Sequence, residues 1–162
     1  MDQPCDGALL QEGQPDAFKR SNTMRSDFDE NYKVLEFKEF GDDKGNLVVA
    51  EGSGFDIPFD IRRVFYIYGS DRDIKRGNHA NRYTKFVLIN VSGSSKVLID
   101  DGKKREVVVL DKPRMGLYLG PMVWKEMYDF SPDSVLLCLA SEHYIENEYI
   151  RDYDEFIKEI SG

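Results

Sequence analysis

From Lys33 onward the chain is written in short apolar runs interrupted by turn-forming residues about every 8 to 12 positions, the spacing of an all-β sandwich or barrel. The runs predict strands over Lys33 to Phe40, Leu47 to Glu51, Arg63 to Tyr68, Phe86 to Val91, Lys96 to Asp100, Glu106 to Leu110, Gly116 to Leu119, Val123 to Phe130 and Val135 to Ser141. Between them stand Gly41-Asp42-Asp43-Lys44-Gly45, Ser92-Gly93-Ser94, Asp100-Asp101-Gly102-Lys103 and Ser131-Pro132-Asp133. These residues tolerate positive φ or pre-set a turn, so several tight hairpins are expected. The period changes once. Tyr149, Ile150, Tyr153, Phe156, Ile157 and Ile160 recur at helical spacing with charged residues between them, which predicts one amphipathic helix at the C-terminal end.

An all-β chain must manage its sheet edges, and closing two sheets on one another does so. The expected architecture over residues 33–162 is therefore a cupin-type jelly-roll barrel with one C-terminal α-helix. Residues 1–32 show no period and scatter Gln, Gly, Ser, Asn and Pro among single apolar residues, so they are expected to form a flexible extension.

Composition narrows the function. A length of 162 residues fits one domain, and 41% hydrophobic with 12% aromatic residues supplies a core. The 22 basic residues are outnumbered by 30 acidic ones, and a net charge of -8 argues against nucleic acid as a partner, because backbone binders gain affinity through Lys and Arg. No apolar run reaches the ~18 residues of a membrane span. The first residues lack the basic start and apolar stretch of a secretory signal, so a cytoplasmic location is expected. Two cysteines, Cys5 and Cys138, are too few for a disulfide framework.

Imidazole chemistry has two candidates. His79 lies in Arg76-Gly77-Asn78-His79-Ala80-Asn81-Arg82, read as a turn leading into the strand from Phe86, and His143 follows the strand ending at Ser141. If the first segment is extended, His79 and Asn81 face the same way and could form one polar site in a barrel mouth. His143 is expected to be a solvated side chain. One histidine beside Asn81, with no acid soon after it, is short of ligands for zinc or iron, so no metal site is expected.

Three segments carry a specific resemblance: Arg62-Arg63-Val64-Phe65-Tyr66-Ile67, Arg76-Gly77-Asn78-His79-Ala80, and Gly116 through Phe130 with Trp124-Lys125 at its centre. Together with Val135 to Ser141 and Tyr149 to Phe156, in the same order, they resemble the nucleotide-sugar 3,4-ketoisomerases, also called WxcM-like cupins, over about residues 33–158. The resemblance implies a homodimeric jelly roll, a dTDP-linked 4-keto-6-deoxyhexose as ligand, and neither metal nor organic cofactor. It also implies a reaction of deoxysugar biosynthesis, in which a ketone moves from C4 to C3 through an enediol. Such a shift needs a base at C3, donors for the developing oxyanion, and an acid at C4. The resemblance assigns His79 and Asn81 to the catalytic positions, and Arg63, Arg76, Tyr66 and Trp124 to substrate binding.

Three positions depart from that pattern. Family members commonly read His-Ala-His where this chain has His79-Ala80-Asn81, many have Tyr at Phe65, and a His often follows the Trp where Lys125 stands. Asn81 can hydrogen-bond a sugar oxygen but cannot carry a proton at neutral pH. A non-catalytic nucleotide-sugar-binding cupin is therefore the alternative expectation, and Tyr66 or Tyr83 could replace the missing histidine.

Overall fold

Antiparallel pairing organises the chain from Asn31 to the C-terminus, and the computed structural model describes residues 31–162. The extension expected over 1–32 lies outside the described residues except at its end, where the first strand already begins at Tyr32. The strands are β1 (Tyr32–Glu36), β2 (Lys38–Asp42), β3 (Gly45–Val49), β4 (Arg63–Tyr68), β5 (Arg76–Asn81), β6 (Phe86–Ser92), β7 (Ser95–Asp100), β8 (Arg105–Leu110), β9 (Met115–Leu119), β10 (Trp124–Tyr128), β11 (Val135–Ala140) and β12 (Tyr149–Ile150). A 3-10 turn at Glu146–Glu148 precedes β12, and the helix α1 (Tyr153–Ser161) follows it.

Two five-stranded sheets face each other as a cupin-type jelly roll, one in the order β1-β9-β6-β11-β4 and the other β12-β5-β10-β7-β8, with β2-β3 as a separate hairpin. Alternating side chains decide what each face buries. Leu88, Val97, Ile99, Leu110, Leu117, Leu119, Leu136 and Cys138 fill the space between the sheets. Outside the first sheet, Val87, Ile89, Tyr118 and Leu139 are covered by Phe37, Ile57 and Phe59. Outside the second, Phe156 of α1 packs on Trp124, Ala80 and Ile150. Full burial of the Phe156 ring contributes roughly 1.5–3 kcal/mol to holding the helix there.

Three elements differ from the sequence reading. The single strand expected from Lys33 to Phe40 divides at Phe37, whose amide bonds to the Arg114 carbonyl at 2.7 Å while its ring turns into the core. Arg76 to Asn81 is a strand and not a turn. The helix starts at Tyr153, because Tyr149 and Ile150 are drawn into a ladder with Asn81 and Ala80. Asp152 then caps α1 by accepting the Glu155 amide at 2.9 Å.

Candidate active site

The strand β5 has no apolar period, and its shape comes from a bulge. Lys125 on β10 pairs with His79, yet the next residue, Glu126, pairs with Gly77, so Asn78 is the extra residue. Gly77 and Asn78 have φ of 84° and 54°. A Cβ on Gly77 would lie 2.8 Å from the Lys125 carbonyl oxygen, so only glycine fits this left-handed position without strain. The bulge re-aims the residues after it. His79 and Asn81 point into the barrel, and Ala80 between them points out beneath α1.

Opposite them on β10, Lys125 points inward and is 4% exposed. Its Nζ donates to Asn81 Oδ1 at 2.8 Å and lies 4.8 Å from the centre of the Phe86 ring. Burial pushes this ammonium down to about 7, partly opposed by the charge of Glu148. The Cys138 thiol is itself pushed up to about 12 by burial.

The His79 Nδ1 lies 2.9 Å from the Gly77 carbonyl, and a carbonyl can only accept, so Nδ1 carries the proton and Nε2 the lone pair. Burial, then the neighbouring Lys125 charge, lowers the imidazole to about 4. His79 is therefore a neutral base at pH 7. Its ring lies 4.8 Å from that of Tyr149, tilted by 50°, and the Arg151 guanidinium lies 4.7 Å from the centre of the same tyrosine ring.

The Lys125 ammonium has no lone pair, so the Asn81 amide presents its oxygen to it. Its Nδ2 is buried without an aligned acceptor, although the Glu148 carboxylate is near enough to feel it. Glu148 is held on three bonds: it accepts the amides of Tyr83 and Thr84 at 3.0 and 2.9 Å and a short bond from the Thr84 hydroxyl. Burial pushes the Glu148 carboxyl up, but these bonds outweigh it and hold the group below its usual range.

Arg63 enters from β4 on the opposite sheet. Its guanidinium lies among Phe65, Phe86 and Tyr144 at 5.4, 6.0 and 5.7 Å, and its Nε and Nη2 are buried without a hydrogen-bond partner. Unpaired buried donors on a cation are costly unless an anion completes them. The site thus holds a neutral imidazole, a buried amine, a free amide donor and a waiting guanidinium, which suits proton transfer on a small anionic molecule.

The fold does not bring the other expected residues here. Tyr66 alternates to the outer face of β4, 62% exposed, where it lies 6.1 Å from the Tyr68 ring. Trp124 precedes Lys125 and so faces out, wedged against Tyr153 and Phe156 at 5.2 and 5.8 Å with Nε1 bonded to Glu126. Arg76 lies before the bulge and donates to Ser70 Oγ at 3.0 Å on the exposed rim. Tyr83 and His143 are exposed as well. Tyr144, Glu148, Tyr149 and Arg151 belong to the site's surroundings but were not anticipated, since their segment reads as loop and helix. A concavity of about 780 Å³ lies elsewhere, on the outer face of the first sheet against Val48, Ala50, Ile89, Leu137 and Leu139, with Glu39, Lys112 and Arg114 also lining it, and none of the residues around His79 reaches it.

Comparison with known proteins bears on this geometry. The family model described as FdtA, WxcM-like, C-terminal, matches residues 30–161. The TDP-4-oxo-6-deoxy-alpha-D-glucose-3,4-oxoisomerase of Aneurinibacillus thermoaerophilus is 46% identical over 129 residues, 80% of this chain and 92% of that one. The crystal structure of a 3,4-ketoisomerase from Helicobacter canadensis superposes with a TM-score of 0.78 at 42% identity, covering 82% of this chain and 98% of its own. A mutant of the 3,4-ketoisomerase QdtA from Thermoanaerobacterium thermosaccharolyticum, in complex with TDP-4-keto-6-deoxyglucose, gives 0.78 at 44% identity, covering 81% and 94%.

Proposed function

The chain belongs to the FdtA family of WxcM-like proteins, and from that premise we propose that it is an isomerase that moves the ketone of a TDP-linked 4-keto-6-deoxyhexose from C4 to C3. The observation that carries the reading is the half-buried, neutral His79, whose Nε2 keeps the lone pair beside Asn81, set among donors that lack acceptors. Nε2 removes the C3 proton. Asn81 Nδ2 and the Lys125 ammonium stabilise the oxyanion as the enediol forms, and the imidazolium returns its proton at C4. Arg63 meets the diphosphate, which supplies the acceptors that its Nε and Nη2 lack. Tyr66 and Trp124 have no part in this chemistry, and Arg76 could reach only a ligand group extending beyond the rim.

The reading includes a homodimer and a cytoplasmic setting. Supporting the first are Val64, Tyr66 and Tyr68, exposed together on the outer face of the edge strand β4. Supporting the second is the free, buried thiol of Cys138. No helix among the described residues is long and apolar enough to cross a membrane.

The test is to incubate the protein with TDP-4-keto-6-deoxyglucose and follow the sugar by NMR, with calorimetric binding in parallel. The expected result is a 3-keto product. Binding without turnover would reject the isomerase in favour of a non-catalytic nucleotide-sugar-binding protein, the reading that Asn81 in place of a histidine would favour.

A further inference from the structure

Moving a ketone from C4 to C3 relocates two protons, and His79 accounts for one. The carbon-bound proton passes from C3 to C4, but the hydroxyl proton must also leave O3 while another arrives at O4. A group that both gives and takes a proton near neutrality is required. Asn81 cannot do this. Tyr66 is on the outer surface, and Tyr83 and His143 are exposed. Glu148 is tied down by Thr84 and the Tyr83 amide, and a guanidinium such as that of Arg63 has donors only.

Cys138 keeps its proton, pushed up to about 12 by burial, and of the side chains on the inner faces of the two sheets that leaves Lys125. It stands in register with His79 across the β5–β10 ladder, so amine and imidazole line the same side of one sheet. Its hydrogen bond to Asn81 Oδ1 holds the nitrogen in place. We propose that Lys125 is a catalytic residue of this site, the carrier that transfers the hydroxyl proton between O3 and O4 of the sugar.

The proposal rests on the isomerase reading, and its steps balance without a co-reactant. In the first, His79 Nε2 takes the C3 proton, the electron pair forms the C3–C4 double bond, and O4 takes a proton from the Lys125 ammonium. The product is an enediol beside an imidazolium and a neutral amine. In the second, the amine takes the O3 proton, the C3 carbonyl forms, and C4 takes the proton from the imidazolium. Imidazole and ammonium are restored. The charged and titratable groups facing Lys125 are His79 from β5, Cys138 from β11, Arg63 from β4 and Glu148 from the 3-10 turn. Burial brings the amine to about 7, where both of its forms are accessible.

The competent state needs Lys125 protonated and His79 neutral, so the rate should fall above pH 7 and below pH 4. The experiment is the pH dependence of kcat for wild type, Lys125→Arg and Lys125→Ala on TDP-4-keto-6-deoxyglucose. Arginine keeps the cation but cannot cycle its proton, and alanine leaves room for an added amine. The expected result is a drop in kcat of roughly 100-fold or more in both variants, with the alkaline limb near neutrality gone and partial rescue of Lys125→Ala by added methylamine. Should Lys125→Arg fail to fold, the methylamine rescue decides alone. An alkaline limb that persists in Lys125→Arg, or a Lys125→Ala variant deaf to methylamine, overturns the Lys125 role while leaving the isomerase intact. A wild type without turnover overturns the isomerase reading and this proposal with it.

Discussion

Lys125 carries a charge that folding opposes. Its amine lies at about 7 against an ordinary value of 10.5, so between those two values the unfolded chain binds a proton that the folded chain has shed. Stability therefore rises with pH across that window, and below it the penalty of burying the cation is fully present. Methionine has similar length and no charge to desolvate, so Lys125→Met is expected to be more stable than wild type at pH 7, by about 1–3 kcal/mol after the lost bond to Asn81 is counted. Thermal unfolding at pH 7 and pH 10 checks this, and the advantage should shrink at the higher pH. An advantage that ignores pH would mean that the amine is not desolvated as described. A residue that destabilises the fold while facing the reacting groups is what a site kept for chemistry looks like.

At the scale of elements, strands with an apolar face were legible and the strand carrying the site was not. The runs Phe86 to Val91, Lys96 to Asp100 and Val135 to Ser141 match β6, β7 and β11 to within a residue at each end, because their inner faces fill the core. In β5 the inward residues are His79 and Asn81, and the entry is a Gly77-Asn78 bulge, so the segment shows turn residues and no period. Facing was the second difficulty. Both sides of β10 are buried, Trp124 under α1 and Lys125 in the barrel, so alternation alone does not tell which side is the interior. In β4 the outward Val64, Tyr66 and Tyr68 are as apolar or aromatic as the inward Phe65 and Ile67, which made Tyr66 a plausible pocket residue. The coupling of Asn81 to Lys125 spans 44 positions and depends on a ladder that no local pattern announces.

The whole molecule sets a local cluster of Arg63, Lys125 and Arg151 against a net charge of -8, and such a contrast directs an anionic ligand to the barrel mouth while the remaining surface repels it. The outer face of β4 has no cover among the described residues, and pairing of two copies through it would bury Val64, Tyr66 and Tyr68. Light scattering at micromolar concentration should give twice the monomer mass, and Tyr66→Glu should shift the equilibrium toward monomer; a wild-type monomer would refute the dimer. In the proposed reaction His79 Nε2 takes the C3 proton. The most direct test of this step is proton NMR of TDP-4-keto-6-deoxyglucose in deuterated water with wild type and with His79→Asn. Wild type should exchange the C3 hydrogen for deuterium, and His79→Asn should not, while binding the ligand within about tenfold, ~1.4 kcal/mol, of wild type. Exchange that continues undiminished in His79→Asn would remove His79 from the role of base.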